Sequence, residues 1–344
     1  KMEGDKLLIR NASQVITCSG FAAKRGAEMS NLHIIDDGAV VISGGIITHV
    51  GPTNDILRTV DADDYLEIDA TGRALLPGFV DSHTHFLFGG YREKVFSERL
   101  KKNHSLSPVE YSEDVLGTVS ATRSCDFEQL WEAGYERLDE MFNMGVTTVE
   151  GKSGYGLDFD TELKQLRVMA DLNDEHPMDV VSTYFGGHVT PSEYTHQTDD
   201  YITYMIEKVL PELRLERSVT FCDVYCDQGL FSLRQTERLL RAARSLRFKL
   251  KMHTDSIASF DGAELAAKLK TVSADHLLYV SDVGIKRLAC SGIVATLLPF
   301  SSFSQYKPYA RGRVMIDAGC AVALASDYNP GNCFSCSIPM LFAL

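Results

Sequence analysis

From residue 75 onward the chain alternates short apolar segments with longer amphipathic ones, and no other feature of the sequence constrains its fold as much. Strands are expected at 75–83, 145–151, 179–187, 221–226, 248–253, 271–276, 293–299 and 320–326. Helical stretches lie between them, at 126–143, 160–175, 232–246 and 259–269, with Asp126 and Asp160 as N-caps. Eight strands with interleaved helices predict an α/β fold of the (β/α)8, TIM-like kind. A doubly wound open sheet is the alternative, but it usually has fewer strands and calls for a Gly-rich phosphate turn after the first, which this sequence does not have. The 88–125 segment is long for a connection after a first barrel strand and is expected to be an active-site loop.

Residues 1–74 read differently. Short strands at 6–10, 14–18, 39–43, 46–50 and 65–69, with Gly44-Gly45 as a hairpin turn, predict a small β module, sandwich-like in character. The expected domains are therefore 1–74 and 75–344. With 344 residues, 44% of them apolar, the chain can bury a large core. Its net charge of −13 argues against nucleic acid as a partner. No apolar run approaches the ~18 residues of a membrane span, and residues 1–10 lack the apolar core and cleavage site of a signal peptide. The eight scattered cysteines suit a reduced, cytoplasmic protein, and Cys333-Phe-Ser-Cys336 has no redox or metal-site context.

In a barrel, catalytic groups gather at the C-terminal ends of the strands. Four of the expected strand ends carry histidine. The first reads Pro77-Gly-Phe-Val-Asp-Ser-His83-Thr-His85, which puts two imidazoles on one side of a strand. The others are Gly186-Gly187-His188, Lys251-Met-His253 and Ala274-Asp275-His276, and the eighth strand runs into Ser326-Asp327-Tyr-Asn329-Pro330-Gly331. Three imidazoles and a carboxylate would hold a metal ion and leave a position for water. A bound divalent ion can lower the pKa of that water to about 7. Asp327 could then be both ligand and proton acceptor, passing the proton to a leaving nitrogen. His276 reads either as a ligand of a second ion or as an electrophile beside the reacting carbonyl. A two-metal site would need a bridging group, for which only Asp227 and Lys152 offer themselves, so one metal is preferred.

These residues resemble the amidohydrolase superfamily and, within it, the imidazolonepropionase family of histidine degradation. The resemblance is carried by the 77–85 segment, Tyr91-Arg92-Glu-Lys, Lys152-Ser-Gly-Tyr155-Gly-Leu-Asp, Thr161-Glu-Leu-Lys-Gln-Leu-Arg167, Ser273-Ala-Asp-His276-Leu and Ser326-Asp327-Tyr-Asn329-Pro330. It implies hydrolysis of the ring amide of 4-imidazolone-5-propanoate to N-formimidoyl-L-glutamate by a metal-activated hydroxide. It implies His83, His85, His253 and Asp327 as ligands of one Zn2+ or Fe3+ ion, with Asp327 and His276 in catalytic roles. Arg92, Tyr155, His188, Asn329, Gly331 and Asn332 match the family's substrate contacts, and a homodimer is the assembly the resemblance suggests.

The sequence also departs from the family. Ser256 stands where the family has a glutamate, and in the 101–115 segment Ser105 replaces a ring-contacting tyrosine, while Ser112, Glu113 and Asp114 replace glycines. Tyr111 could substitute for that tyrosine only if the segment has refolded. The family also continues past the match to Leu344 with elements that complete the small module, so a divergent or C-terminally truncated form is expected. A metal-binding but catalytically weak relative, or a cyclic amidohydrolase with another substrate, is the alternative reading.

Overall fold

The computed structural model describes residues 6–102, 107–216 and 218–344. The chain divides into two compact units, Lys1–Gly78 and Phe79–Leu344. The first holds a five-stranded mixed sheet of β1 (Lys6–Ile16), β2 (Ile34–Ser43), β3 (Ile46–Pro52), β4 (Leu66–Asp69) and β5 (Ala74–Leu75), in the order β3-β2-β1-β4 with β5 beside β1. Its described residues make one sheet rather than two facing sheets. The β2–β3 hairpin turns on Gly44 and Gly45, both at positive φ, as a two-residue turn of this hand requires. The two strands expected at 6–10 and 14–18 are one strand. A bulge at Asn11, itself at φ 59°, lets it continue. Leu8, Ala39, Val41 and Ile56 form one of the buried clusters of this unit.

The second unit is an eight-stranded parallel sheet curled into a nearly closed barrel. Its strands are β6 (Phe79–Thr84), β7 (Val146–Lys152), β8 (Asp179–Gly187), β9 (Val219–Cys226), β10 (Lys249–Thr254), β11 (Ser273–His276), β12 (Val294–Leu297) and β13 (Ala321–Leu324), each beside the next in sequence. The single strand expected at 75–83 is two. Leu75 belongs to the small sheet and Phe79 to the barrel, with Pro77 and Gly78 between them. Pro77 has no N–H to give to a ladder, which ends one strand before the next begins. The first and last barrel strands meet through the residues that follow β13. The Asp327 N–H donates to the His83 carbonyl at 3.0 Å, and the His85 N–H to the Tyr328 carbonyl at 2.8 Å.

Local chemistry explains most helix starts. Asp126 caps Phe127–Asn143 and Ser232 caps Leu233–Ser245, each in a reciprocal box with the glutamine three residues on. The expected cap at Asp160 is corrected to Asp158, whose extended backbone and carboxylate serve the Thr161 N–H at 2.8 Å; Asp160 lies in the first helical turn. The 88–125 segment is mostly helical, not a loop. It forms Glu93–Lys102 and Pro108–Ser124, the second started by a Ser107–Glu110 capping box. Ser105 lies outside the described residues. No described helix is long and apolar enough to cross a membrane.

One buried cation supports the chain just past β6. Arg137 Nη1 donates to the Phe86 and Phe88 carbonyls at 2.8 and 3.0 Å, and its guanidinium lies 3.6 Å from the centre of the Phe88 ring. Arg137→Ala would leave those carbonyls unpaired, at a cost of about 2–4 kcal/mol. The expected outcome is a clear drop in the thermal unfolding midpoint, read by calorimetry against an exposed control such as Arg313→Ala.

Candidate metal centre and substrate pocket

The site is built on strand parity. His83 near the end of β6 and His85 just past it turn to the same side, and His253 points inward from β10. One ring nitrogen from each of the three buried histidines lies within 4.8 Å of the others. The β6–Tyr328 pairing then brings Asp327 to them, with Oδ1 at 3.7 Å from His83 Nε2 and 3.8 Å from His85 Nε2. Asp327 sits at φ 54°, in the left-handed region that non-glycine residues rarely adopt. Its own N–H on the His83 carbonyl and the Ser326 N–H on Asp81 Oδ1 at 3.0 Å hold that conformation. His276 stands close, its ring 5.2 Å from that of His253, but outside the three-histidine cluster.

The donor set fits a metal ion. Burial holds His83, His85 and His253 well below the usual histidine pKa, so their lone pairs are free. His83 Nε2 and His253 Nε2 are buried without a hydrogen-bond partner among the described residues. Their other nitrogens face carboxylates. His83 Nδ1 lies 2.6 Å from Asp275 Oδ2, and His253 Nδ1 lies 3.0 Å from Asp223 Oδ2. The Asp275 hydrogen bond fixes the ring and tautomer of His83 for metal binding, while Asp223 sets a carboxylate close behind His253 without an aligned hydrogen bond. Burial also pushes the Asp327 carboxyl up to about 7.

The two candidates for a metal bridge are otherwise engaged. Lys152 Nζ donates to Asp223 Oδ2 at 2.7 Å and Glu150 Oε1 at 2.8 Å. Burial alone would lower its pKa, but these carboxylates outweigh burial and keep it a charged ammonium. Asp227 instead accepts the Ser256 and Ile257 N–H groups at 2.7 and 3.0 Å, shaping the turn after β10. Sequence reasoning looked to the last residues of β9 and missed the inward carboxylate, Asp223. The signal was parity along Phe221-Cys-Asp-Val-Tyr225.

A cavity opens above the histidines, and Arg92, Tyr155, His188, His276, Asp327, Asn329 and Asn332 are all on its wall. Gly331 sits behind Arg92 instead, where a Cβ would come within 2.3 Å of Arg92 Nη2. Arg92 Nη1 donates to Asp114 Oδ2 at 2.5 Å. His188 has a defined tautomer: its Nδ1–H donates to the Gly154 carbonyl at 3.0 Å, leaving Nε2 to accept from the Tyr111 hydroxyl at 2.9 Å. Burial pushes both His188 and His276 down to about 3, so each is neutral. Tyr111 enters the pocket from the Pro108–Ser124 helix. Ser256 Oγ pairs with the Tyr225 hydroxyl at 2.6 Å, and Asp255 turns away to accept the Phe260 and Ala263 N–H groups. Asn329 Oδ1 gathers the Gly331 and Asn332 N–H groups at 2.9 and 3.0 Å, which shapes the loop after β13.

The Lys-Ser-Gly-Tyr-Gly-Leu turn is organised by a carboxylate from the following helix. Glu162 accepts from the Gly154, Gly156 and Leu157 N–H groups at 2.8–3.1 Å, and this places the Tyr155 ring. Gly154 stands at φ +96°, with the Phe185 carbonyl 2.7 Å from where a Cβ would be.

A nearly closed parallel barrel with His-x-His on its first strand, a histidine on its fifth and an aspartate after its eighth has the architecture of a metal-dependent amidohydrolase. Solved structures share the fold. A guanine deaminase from C. acetobutylicum with bound guanine has a TM-score of 0.61 at 15% identity, covering 98% of this chain and 78% of that one. An adenosine deaminase from Xanthomonas campestris with bound zinc has a TM-score of 0.56 at 17% identity, covering 97% of this chain and 70% of that one. No family model matches the chain. Among curated relatives, the imidazolonepropionase of Parabacteroides distasonis is 65% identical over 343 residues, covering 100% of this chain and 82% of the relative. Those of Bacteroides thetaiotaomicron and Clostridium tetani are 52% and 48% identical, each with 82% of its length covered. The chain belongs to the imidazolonepropionase family.

Glu162 offers a direct check on the pocket's construction. All three N–H groups donate to Oε1, and the Gly154 N–H also reaches Oε2. In Glu162→Gln the charged acceptor becomes a neutral amide and an NH2 group replaces Oε2 against the Gly154 N–H, so the three bonds weaken together. Hydrogen exchange at Gly154, Gly156 and Leu157 is expected to rise by about tenfold, equivalent to losing roughly one hydrogen bond of net stability. Mass spectrometry of the 153–158 peptide reads this, and β9 serves as the unchanged reference.

Proposed function

We propose that the chain hydrolyses the ring amide of 4-imidazolone-5-propanoate to N-formimidoyl-L-glutamate, a small-molecule reaction in the cytoplasm, with one Zn2+ or Fe3+ ion held by His83, His85, His253 and Asp327. The observation that carries this reading is the convergence of three neutral buried imidazoles and Asp327 at the floor of a cavity walled by Arg92, Tyr155 and His188. The bound ion would polarise water and the ring carbonyl. Asp327 takes a proton from the attacking water, the water oxygen adds to the carbonyl carbon, and the C–N bond breaks as Asp327 returns the proton to the departing nitrogen. Neutral His276 faces the carbonyl as a hydrogen-bond donor. Arg92 meets the propanoate carboxylate, a pairing its planar fork favours, and Tyr155 and His188 border the ring. The resemblance also suggests a homodimer.

A second reading rests on two observations. Ser256 offers a hydroxyl tied to Tyr225 rather than a carboxylate, and Arg92 is already paired with Asp114. Both suit a metal-binding relative with weak turnover or a different cyclic amide. Ser256→Glu separates the two readings: a large gain in turnover supports the weak relative, and an unchanged or lower rate supports the first.

Turnover of 4-imidazolone-5-propanoate by the zinc-loaded chain is the deciding assay. Asp327→Asn is expected to lower kcat by about 10²–10⁴, the usual share of a general acid–base group. Asp327 acts only when ionised, so kcat/KM should rise with pH along an acidic limb. The bound cation brings that limb below the value of about 7 that burial alone sets, and the limb disappears in Asp327→Asn. Arg92→Met is expected to raise KM by roughly 10- to 100-fold, matching the ~1.5–3 kcal/mol of a charged hydrogen-bonded pair. Metal-loaded protein with no turnover would overturn this reading.

A further inference from the structure

We propose that Glu150 is the junction of a buried positioning network that aligns His83 and His253 as a pair of metal ligands. The inference rests on the metal-centre reading above and adds to it residues that touch neither metal nor substrate. The network can be followed atom by atom. Asp275 Oδ2, behind His83, lies 3.5 Å from Lys251 Nζ. Lys251 Nζ donates to Glu150 Oε2 at 2.7 Å and to the Ser82 carbonyl at 2.7 Å, just before His83. The other Glu150 oxygen accepts from Lys152 Nζ at 2.8 Å and from Thr183 Oγ1 at 2.5 Å. Lys152 completes the path to Asp223 Oδ2, 3.0 Å from His253 Nδ1. One carboxylate thus links the two lysines that hold the two aspartates behind the two histidines.

Strand geometry places every member. Glu150 and Lys152 are two residues apart on β7, and Lys251 and His253 two apart on β10, so each pair faces the barrel interior together. Asp275 pairs with His253 in the β10–β11 register. All five charged groups are buried, so water does not screen them. Three carboxylates and two ammonium groups sum to one negative charge beneath the histidines, complementary to a cation above them. Removing one member leaves a buried charge without its partner, so the aspartates cannot reorient independently. A buried ion network is weak evidence for stability, and fixing one geometry is its best-attested use.

The test is zinc affinity by chelator competition, together with the visible spectrum of the cobalt-substituted chain, for wild type and Glu150→Gln. Glu150→Gln is isosteric and leaves Lys152 on Asp223. The zinc dissociation constant is expected to rise by about tenfold, the low end of what outer-shell substitutions cost, and the cobalt bands to shift. Should Glu150→Gln not fold, Asp275→Asn is measured the same way, with the same two changes expected. A folded variant that binds zinc as wild type does, with unchanged cobalt bands, would overturn the network's role even if its melting temperature fell. A wild-type chain that binds no zinc would instead overturn the metal centre itself.

Discussion

Two backbone hydrogen bonds, from Asp327 to His83 and from His85 to Tyr328, are the contacts on which the site depends. They join the first barrel strand to the residues after the last. That closure brings a carboxylate from one end of the barrel's sequence beside two histidines from the other. The cost is borne locally, in the left-handed backbone of Asp327, and recovered through Asp81, Ser326 and the Asn329 turn. Strain confined to a metal-binding corner is a common use of a scaffold that otherwise follows regular geometry.

Behind this closure lies a second constraint. Three strands deliver carboxylates into the barrel interior, at Glu150, Asp223 and Asp275, and two lysines neutralise most of that charge. The pocket side is aromatic and neutral by comparison. The rings of Phe185, Tyr155 and Tyr225 pack around His188, His253 and His85. Buried imidazoles with depressed pKa values and anionic support behind them are poised to hold a cation, and neutral His188 and His276 are poised to bond a substrate.

The barrel was legible in the sequence because its signal, eight apolar strands with helices between, repeats along the chain. So were the side chains that converge at the strand ends, His83, His85, His253 and Asp327. Boundaries were less so. Pro77 splits what read as one strand, and Asp158 rather than Asp160 caps its helix because only backbone geometry distinguishes two neighbouring aspartates. The 88–125 segment read as a loop because its helix Pro108–Ser124 is only weakly amphipathic, yet it carries Tyr111 and Asp114 into the pocket. The buried charges were missed because Glu150, Asp223 and Lys251 sit before the strand ends, where an apolar run hides inward polar residues until the register is known. Asp114 opposite Arg92 is a contact between residues 22 apart that no local pattern announces.

The central claim is that barrel closure assembles a single metal centre from three imidazoles and Asp327. X-ray absorption at the zinc edge of the loaded, full chain tests it most directly. The account predicts a first shell of nitrogen and oxygen only, at about 2.0–2.2 Å, with the outer-shell scattering of three imidazoles, and one fewer imidazole in His253→Ala. A sulfur shell near 2.3 Å, the distance of a zinc–thiolate bond, would place the ion at the buried cysteines and contradict the account.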